Sequence, residues 1–256
     1  MKLSIVVPAY NEEKRIRPML DAYLAFFTEH YGSDFELVVV VNGSTDGTAA
    51  VVQEYAARLP QVRCIVEPAK IGKGGAVKLG FESARGEIVG FADADGSTPP
   101  DAFQALADQM EPGVDAVIAS RWFKESEVYP RQTVSRQIAS RIFNGFVRLM
   151  LGLKIRDTQC GAKVFKKEAL DHVVPSLGIT RWAFDVDLLF QLQRAGYSIR
   201  EAPTKWHDVG GSQIRIFRSS VQMFFAVTRL RLYYSPLRWI VKLYESTLGQ
   251  IIKLKV

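Results

Sequence analysis

Asp93-Ala94-Asp95 places two carboxylates one residue apart, where an apolar run over residues 87–92 gives way to Gly96-Ser97-Thr98-Pro99-Pro100. A strand ending at such a pair delivers both acids to the edge of a sheet. That suits a hard cation such as Mg²⁺ or Mn²⁺, which takes oxygen donors from one or two carboxylates and from substrate phosphates. A solvated acidic turn is spelled the same way, so the pair gains meaning only in company. Two other polar clusters supply it. Pro8-Ala9-Tyr10-Asn11-Glu12-Glu13 follows the run 3–7 and offers a ring, an amide and carboxylates to a nucleoside, or else makes a capped turn into a helix. Gly72-Lys73-Gly74-Gly75-Ala76 offers close backbone approach, a cation and a helix N-terminus to phosphate oxygens. Its spacing is neither that of a P-loop nor that of a dinucleotide fingerprint.

The elements that must hold these clusters are legible in the apolar pattern. Residues 3–7, 35–41, 62–66, 87–92 and 114–120 read as buried strands. Between them Ile16, Met19, Leu20, Tyr23, Leu24 and Phe27 recur at helical spacing up to Gly32, a candidate cap. A turn over residues 42–47, rich in capping side chains, leads to a helix with Val51, Val52, Tyr55 and Leu59 on one face. Further helices start near Gly72 and at Thr98-Pro99-Pro100, proline being tolerated in a first helical turn. Strand and helix alternate, which predicts an α/β fold: a Rossmann-like, mostly parallel sheet with helices on both faces and ligands outside the carboxyl ends of its strands. Beyond Arg121 come a basic loop and a helix whose Ile138, Ile142, Phe146 and Leu149 form an apolar stripe of the kind that faces a core, accompanied by Arg136, Arg141 and Arg148. Residues 161–165, a helix over 185–195 and residues 198–202 complete the sheet.

With 48% hydrophobic and 23% charged residues among 256, collagen-like and disordered classes are excluded. The net charge of +6 is concentrated at one end. From Gln213 onward Arg215, Arg218, Arg229, Arg231, Arg238, Lys242, Lys253 and Lys255 face Glu245 alone, so that segment carries +7 and the rest of the chain −1. Such a tail suits nucleic acid, acidic protein or anionic lipid. Its interleaved Met223, Phe224, Phe225, Tyr233, Tyr234, Trp239 and Tyr244 favour a membrane surface over nucleic acid. No run approaches the roughly 18–20 apolar residues that span a bilayer. The first residues lack a secretory apolar region, and Cys64 and Cys160 read as reduced thiols rather than a disulfide or zinc framework. The expectation is a cytoplasmic protein, peripheral on the cytoplasmic face of a membrane, with a membrane partner subunit or a second copy as further candidate partners.

Taken in order, Val-Pro-Ala-Tyr-Asn-Glu-Glu, Asn-Gly-Ser-Thr-Asp-Gly-Thr, Gly-Lys-Gly-Gly-Ala and Asp-Ala-Asp-Gly-Ser-Thr-Pro-Pro resemble family 2 glycosyltransferases of the GT-A fold. Ser120-Arg121, Asp157-Thr158-Gln159-Cys160-Gly161, the Trp182 to Asp187 segment and Trp206-His207-Asp208 extend the likeness over residues 3–235. These later blocks look most like polyprenyl-phosphate sugar synthases, above all the dolichyl-phosphate glucosyltransferases and, less closely, the mannose synthases. The resemblance implies a catalytic unit over residues 1–212 followed by a basic, amphipathic helical tail over 213–256. It implies transfer of a hexose from a UDP- or GDP-sugar to a polyprenyl or dolichyl phosphate, with inversion, assisted by Mg²⁺ or Mn²⁺ at Asp93 and Asp95.

By position, the resemblance places Pro8, Ala9, Tyr10, Asn11 and Glu12 around the nucleoside and Asp93 and Ala94 near ribose and pyrophosphate. It puts Lys73 on the departing diphosphate and Arg121 and Arg136 on donor or acceptor phosphates. Asp157 would orient substrate, and His207 would reach a phosphate. Asn42 follows Val41 where relatives usually carry two aspartates, and Gln213 stands where many carry a phosphate-facing lysine. Trp182 and Trp206 are candidates for stacking on a sugar, or for packing. Two other functions stay open. A sugar-hydroxyl acceptor would need a general base, for which Asp185 or Asp187 is placed. A non-catalytic nucleotide-sugar-binding scaffold would need only the pocket and the tail.

Overall fold

The computed structural model describes residues 1–130, 133–178, 183–207, 216–236 and 238–239, without the side chains at 135, 136 and 216–221. Trp182, Asp208, Gln213 and the tail beyond 239 lie outside the described residues. The strands are β1 (Leu3–Ala9), β2 (Phe35–Asn42), β3 (Val62–Glu67), β4 (Ile88–Phe91), β5 (Ala116–Ser120), β6 (Glu127–Tyr129), β7 (Lys163–Lys166), β8 (Ile199–Pro203) and β9 (Lys205–His207). The helices are α1 (Glu13–Tyr31), α2 (Thr48–Arg58), α3 (Gly72–Ser83), α4 (Pro100–Ala107), α5 (Val134–Leu151), α6 (Lys167–Val173), α7 (Phe184–Arg194) and α8 (Ile216–Tyr233).

Seven strands form one sheet in the order β3-β2-β1-β4-β7-β5-β8, parallel except for β7, which runs antiparallel to both neighbours. β1 pairs with β2 from Leu3↔Phe35 to Ala9↔Val41, and with β4 from Leu3↔Ile88 to Val6↔Phe91. The strand order reverses at β1 and β4, and that switch point is where an open α/β sheet leaves a crevice. A separate parallel pair, β6 with β9, lies beside the sheet; the sequence pattern did not announce it.

Period-two alternation explains why β2 is apolar throughout. Phe35, Leu37, Val39 and Val41 enter the core shared with α1 and α4, whereas Val38 and Val40 face the core shared with α3, α6 and α7. The six α1 residues singled out by their spacing are all buried, and Gly32 caps the helix at φ 60. The rings of Phe27, Tyr23 and Phe103 interlock with centroids 5.6–6.2 Å apart, so that truncating Phe27 to alanine costs about 3–5 kcal/mol. α2 is shallower than its pattern suggests: Val52 is buried, Val51 and Tyr55 are half-buried, and Leu59 is exposed.

α5 corrects the sequence reading. Ile138, Ile142 and Leu149 are 53%, 60% and 83% exposed, while Phe143, Val147 and Leu151 are the buried face. Apolar residues occupy much of this helix's circumference, so spacing alone does not choose the inner stripe. The inner one meets α7 and α8, where Val227 and Leu230 are buried and Phe224 sits 5.7 Å from Phe143 and 4.7 Å from Phe146 between ring centroids. The tail therefore begins as a helix packed on the folded unit, with Phe225, Tyr233 and Trp239 exposed. Among the described residues no helix is long and apolar enough to cross a membrane. Both cysteines are free thiols.

Candidate active site

The clusters that follow β1, β4 and β5 converge at the switch point. β1 ends at buried Ala9, after which Asn11 adopts φ 54 and closes the turn: its Oδ1 accepts from Thr45 N at 2.8 Å and its N–H donates to Ser44 Oγ at 3.1 Å. Asn11 is thus a turn residue, one that tolerates the left-handed region better than most. Tyr10 presents its ring to Lys70, whose Nζ lies 3.7 Å from the centroid. Glu12 is held by Arg15 through contacts of 2.6 and 2.7 Å; burial pushes its carboxyl up against the pull of that guanidinium. Pro8 is half-buried at the same strand end. Asn42 is buried and donates to Ala9 O at 3.1 Å, so part of its amide fastens β1 rather than meeting a base.

Asp93 lies just past β4 and pairs with Lys73 of α3 at 2.7 Å. Burial, with Asp95 beside it, pushes the Asp93 carboxyl above the ordinary range in spite of that lysine. Lys73 holds its proton strongly: burial opposes the charge, but Asp93 and Asp185 more than offset it. Ala94 is buried, and Asp95 is half-buried with Oδ1 accepting from Ser97 N at 3.0 Å. The glycines after Lys73 have a packing role that the phosphate reading missed. A Cβ on Gly74 would overlap the Phe184 side chain, and one on Gly75 would lie 2.9 Å from Ile71 Cβ.

Arg121, the first residue after β5, is fixed by Asp157 through Nε at 2.8 Å and Nη2 at 3.0 Å, with its backbone N–H on the same carboxylate at 3.1 Å. Asp157 is fully buried; burial opposes its charge, yet Arg121 holds its carboxyl below the usual range. Trp206 is buried with Arg121 lying over its ring, which favours packing, the second of its two readings, over stacking on a sugar. His207 is exposed on β9, and its backbone N–H donates to Ser97 O at 2.7 Å, which brings it to the same rim as Asp95. Arg136 lies on α5, its side chain outside the described residues.

Two acids open to a base role are committed elsewhere. Asp185 pairs at 2.5 Å with Lys163, a fully buried lysine whose ammonium also donates to Cys160 O at 2.6 Å. Asp187 is fully buried, accepting from Gly178 N at 2.9 Å and Gln191 Nε2 at 3.2 Å. The sequence reading missed Lys163. Its only signal was a charge at the head of an otherwise buried strand. Removing one partner of such a pair strands the other, so Lys163→Met is expected to lower stability by about 3–5 kcal/mol in urea denaturation. Lys163→Met combined with Asp185→Leu should recover most of that loss.

A mixed α/β sheet with acidic, glycine-rich and arginine-bearing loops at its switch point is the architecture of the GT-A glycosyltransferases. Residues 4–174 match the model of the family described as Glycosyl transferase family 2, and the chain belongs to that family. It is 34% identical over 248 residues to a dolichyl-phosphate beta-glucosyltransferase of Trichomonas vaginalis, covering 93% of this chain and 73% of that one. It is 35% identical over 255 residues to a human protein of the same name, covering 93% and 77%. Among solved structures it resembles glucosyl-3-phosphoglycerate synthase of Mycobacterium tuberculosis in complex with Mn²⁺, uridine diphosphate and glucosyl-3-phosphoglycerate: TM-score 0.64, 20% identity, 90% of this chain and 79% of that chain. A mannosyltransferase of Pyrobaculum calidifontis in complex with GDP-Man and Mn²⁺ gives TM-score 0.62 at 21% identity, covering 91% and 64%.

Proposed function

We propose that this protein transfers a hexose, glucose in the first instance, from a UDP- or GDP-sugar to dolichyl or polyprenyl phosphate, inverting the anomeric carbon. The observation that carries the acceptor assignment is that Asp185 and Asp187 are both tied up in buried contacts while Arg121 is braced for an anion. A sugar hydroxyl needs a base to accept its proton. A phosphate monoester, with a second pKa of about 6, is already largely ionised at neutral pH and needs only positioning and screening. Its oxygen forms the new bond to the anomeric carbon as the bond from that carbon to the nucleoside diphosphate breaks.

Arg121 spends Nε and Nη2 on Asp157, which leaves Nη1 for the incoming phosphate and fixes the plane of the fork. It borders a cavity of about 490 Å³, shared with Trp122, Gln137 and Arg141, that is wide enough for the acceptor head. Pro8, Tyr10 and Glu12 would flank the nucleoside, Lys70 leaving or capping the Tyr10 ring as the base enters. Lys73 sits where the departing diphosphate gathers charge. A divalent ion fits the donor set on one condition. Asp93 is already paired with Lys73, and no group of three His, Cys, Asp or Glu converges among the described residues, so Asp95 would hold the ion with substrate phosphates completing its shell. Mg²⁺ or Mn²⁺ there supplies further neutralisation of the leaving diphosphate. The exposed aromatics of α8 support a reading in which the work is done at a membrane surface, on its cytoplasmic face, with the chain peripheral to it.

The test is transfer of radiolabel from UDP-glucose and GDP-mannose to dolichyl phosphate, with and without EDTA, against a soluble sugar acceptor. Lipid-linked label that EDTA removes is the expected result. Label on the sugar acceptor alone, or nucleotide binding without turnover, would overturn the assignment. A substitution at a distance tests the same site. A Cβ at Gly161 would overlap the Asp93 carboxylate, so Gly161→Ala should displace Asp93 from Lys73. A misplacement on the order of 1 Å at a reacting centre costs about a hundredfold. We expect that loss in kcat/KM together with a lowered Tm, because the Asp93–Lys73 pair is parted.

A further inference from the structure

Sharing Trp122 and Arg141 with the Arg121 cavity, a second cavity of about 340 Å³ is lined by these two residues and by Asn144, Gly145, Arg148 and Arg156. Its chemistry is one-sided. Arg141 lies over the Trp122 ring at 4.9 Å, Arg156 over Phe123 at 5.1 Å, and Arg148 Nε donates to Ile155 O at 2.9 Å. None of the three has a carboxylate partner among the described residues, whereas Arg15, Arg17, Arg58, Arg63, Arg121 and Arg200 are each paired with Glu or Asp. The Trp122 indole N–H is buried without a hydrogen-bond partner. Three uncompensated guanidinium groups and an idle N–H donor describe a place for a phosphate oxyanion.

The surroundings say which phosphate. With about 3.6 residues per turn, Val134, Ile138, Ile142 and Leu149 fall in one arc of about 80° on α5, with Arg141 and Arg148 at its border. All four apolar residues are exposed, so the pocket opens at the edge of an uncovered apolar stripe. Apolar surface rimmed by arginine matches the boundary between acyl chains and anionic headgroups. We propose that this pocket, beside the acceptor cavity and reaching past it to Arg148 and Arg156, seats the headgroup of an anionic phospholipid while the α5 stripe enters the acyl boundary, a ligand distinct from both sugar-transfer substrates. It does not depend on the identity of the sugar or of the acceptor.

The test is flotation of the full chain with phosphatidylcholine vesicles, with and without phosphatidic acid. Arg148→Gln/Arg156→Gln is compared with Lys14→Gln/Arg58→Gln, which removes the same charge far from α5. Phosphatidic acid should raise binding of the wild type, and the Arg148/Arg156 pair should abolish about tenfold or more of that gain with nucleotide affinity unchanged. Ile142→Ser should weaken binding to both vesicle types. Equal losses from the two charge-removing pairs would reduce the effect to diffuse charge and overturn the site. So would a wild type indifferent to phosphatidic acid whose Tm is raised by inorganic phosphate, which would make the pocket one for a free anion.

Discussion

Asp95→Asn is expected to lower hexose transfer by about a thousandfold while leaving Tm within a degree or two of the wild type. The two halves of that expectation rest on different atoms. Asp95 Oδ1 accepts from Ser97 N, a bond that an amide oxygen keeps, so the turn after β4 has no reason to open. Unlike Asp93, Asp95 has no ion-pair partner among the described residues to be stranded by the change. What is lost is one full negative charge at the point where a divalent ion would meet the donor phosphates, and losing a single preorganised electrostatic contact typically costs about 10²–10³ in rate. Asp93→Asn should differ in kind, since it also releases Lys73 and so should cost stability as well as rate. The checks are lipid-linked radiolabel, thermal unfolding, and nucleotide affinity with and without Mn²⁺. Asp95→Asn should abolish the gain in affinity that Mn²⁺ confers. Normal turnover by this variant would remove Asp95 from the site.

The parts of the fold written in local periodicity were readable, and the parts fixed by partners were not. β1 and β2 were read from their first residues to within two of their last, and the six buried residues of α1 were all read, because these elements bury their apolar sets against neighbours close in sequence. β7 was read as a strand over residues 161–165, but its direction, antiparallel to β4 and β5, is set only by that pairing. The β6–β9 ribbon joins segments almost eighty residues apart. α5 was misread because two apolar stripes compete on one helix and the choice belongs to α7 and α8.

The site divides in the same way. Asp93 and Asp95 were singled out because acids at a strand end stand out against apolar runs, Lys73 by the glycines around it at a helix start, and Arg121 and Asp157 by the family resemblance. Three facts about them needed coordinates. Asp157 serves Arg121 rather than a substrate, Lys73 already holds Asp93, and Asn42 has given a donor to Ala9. Each is a contact between segments far apart in the chain. The same holds for the Lys163–Asp185 pair, which turned a candidate base into a structural ion.

Arg121→Ala should be the most damaging single change at the acceptor side. Two costs combine. The variant loses the cation we assign to the incoming phosphate, worth about a hundredfold or more in kcat/KM and read mainly as a raised KM for the lipid phosphate. It also leaves Asp157 charged, buried and alone, a penalty of about 3–5 kcal/mol in stability. Asp157→Asn separates the two costs, because it keeps the cation but loses the brace that orients it; kcat/KM should fall with Tm less affected. The pH dependence gives an independent sign. The folded Asp157 carboxyl sits below its unfolded value, so the pair contributes stability above about pH 4 and loses it as pH falls through the lowered folded value. Wild type should therefore lose stability on acidification below about pH 4, and Asp157→Asn should lack that part of the slope. Asp187→Asn, by contrast, should weaken the fold around Gly178 yet keep most of its turnover. If Asp187→Asn loses transfer while Arg121→Ala retains it, the acceptor is a hydroxyl and the phosphate assignment is wrong.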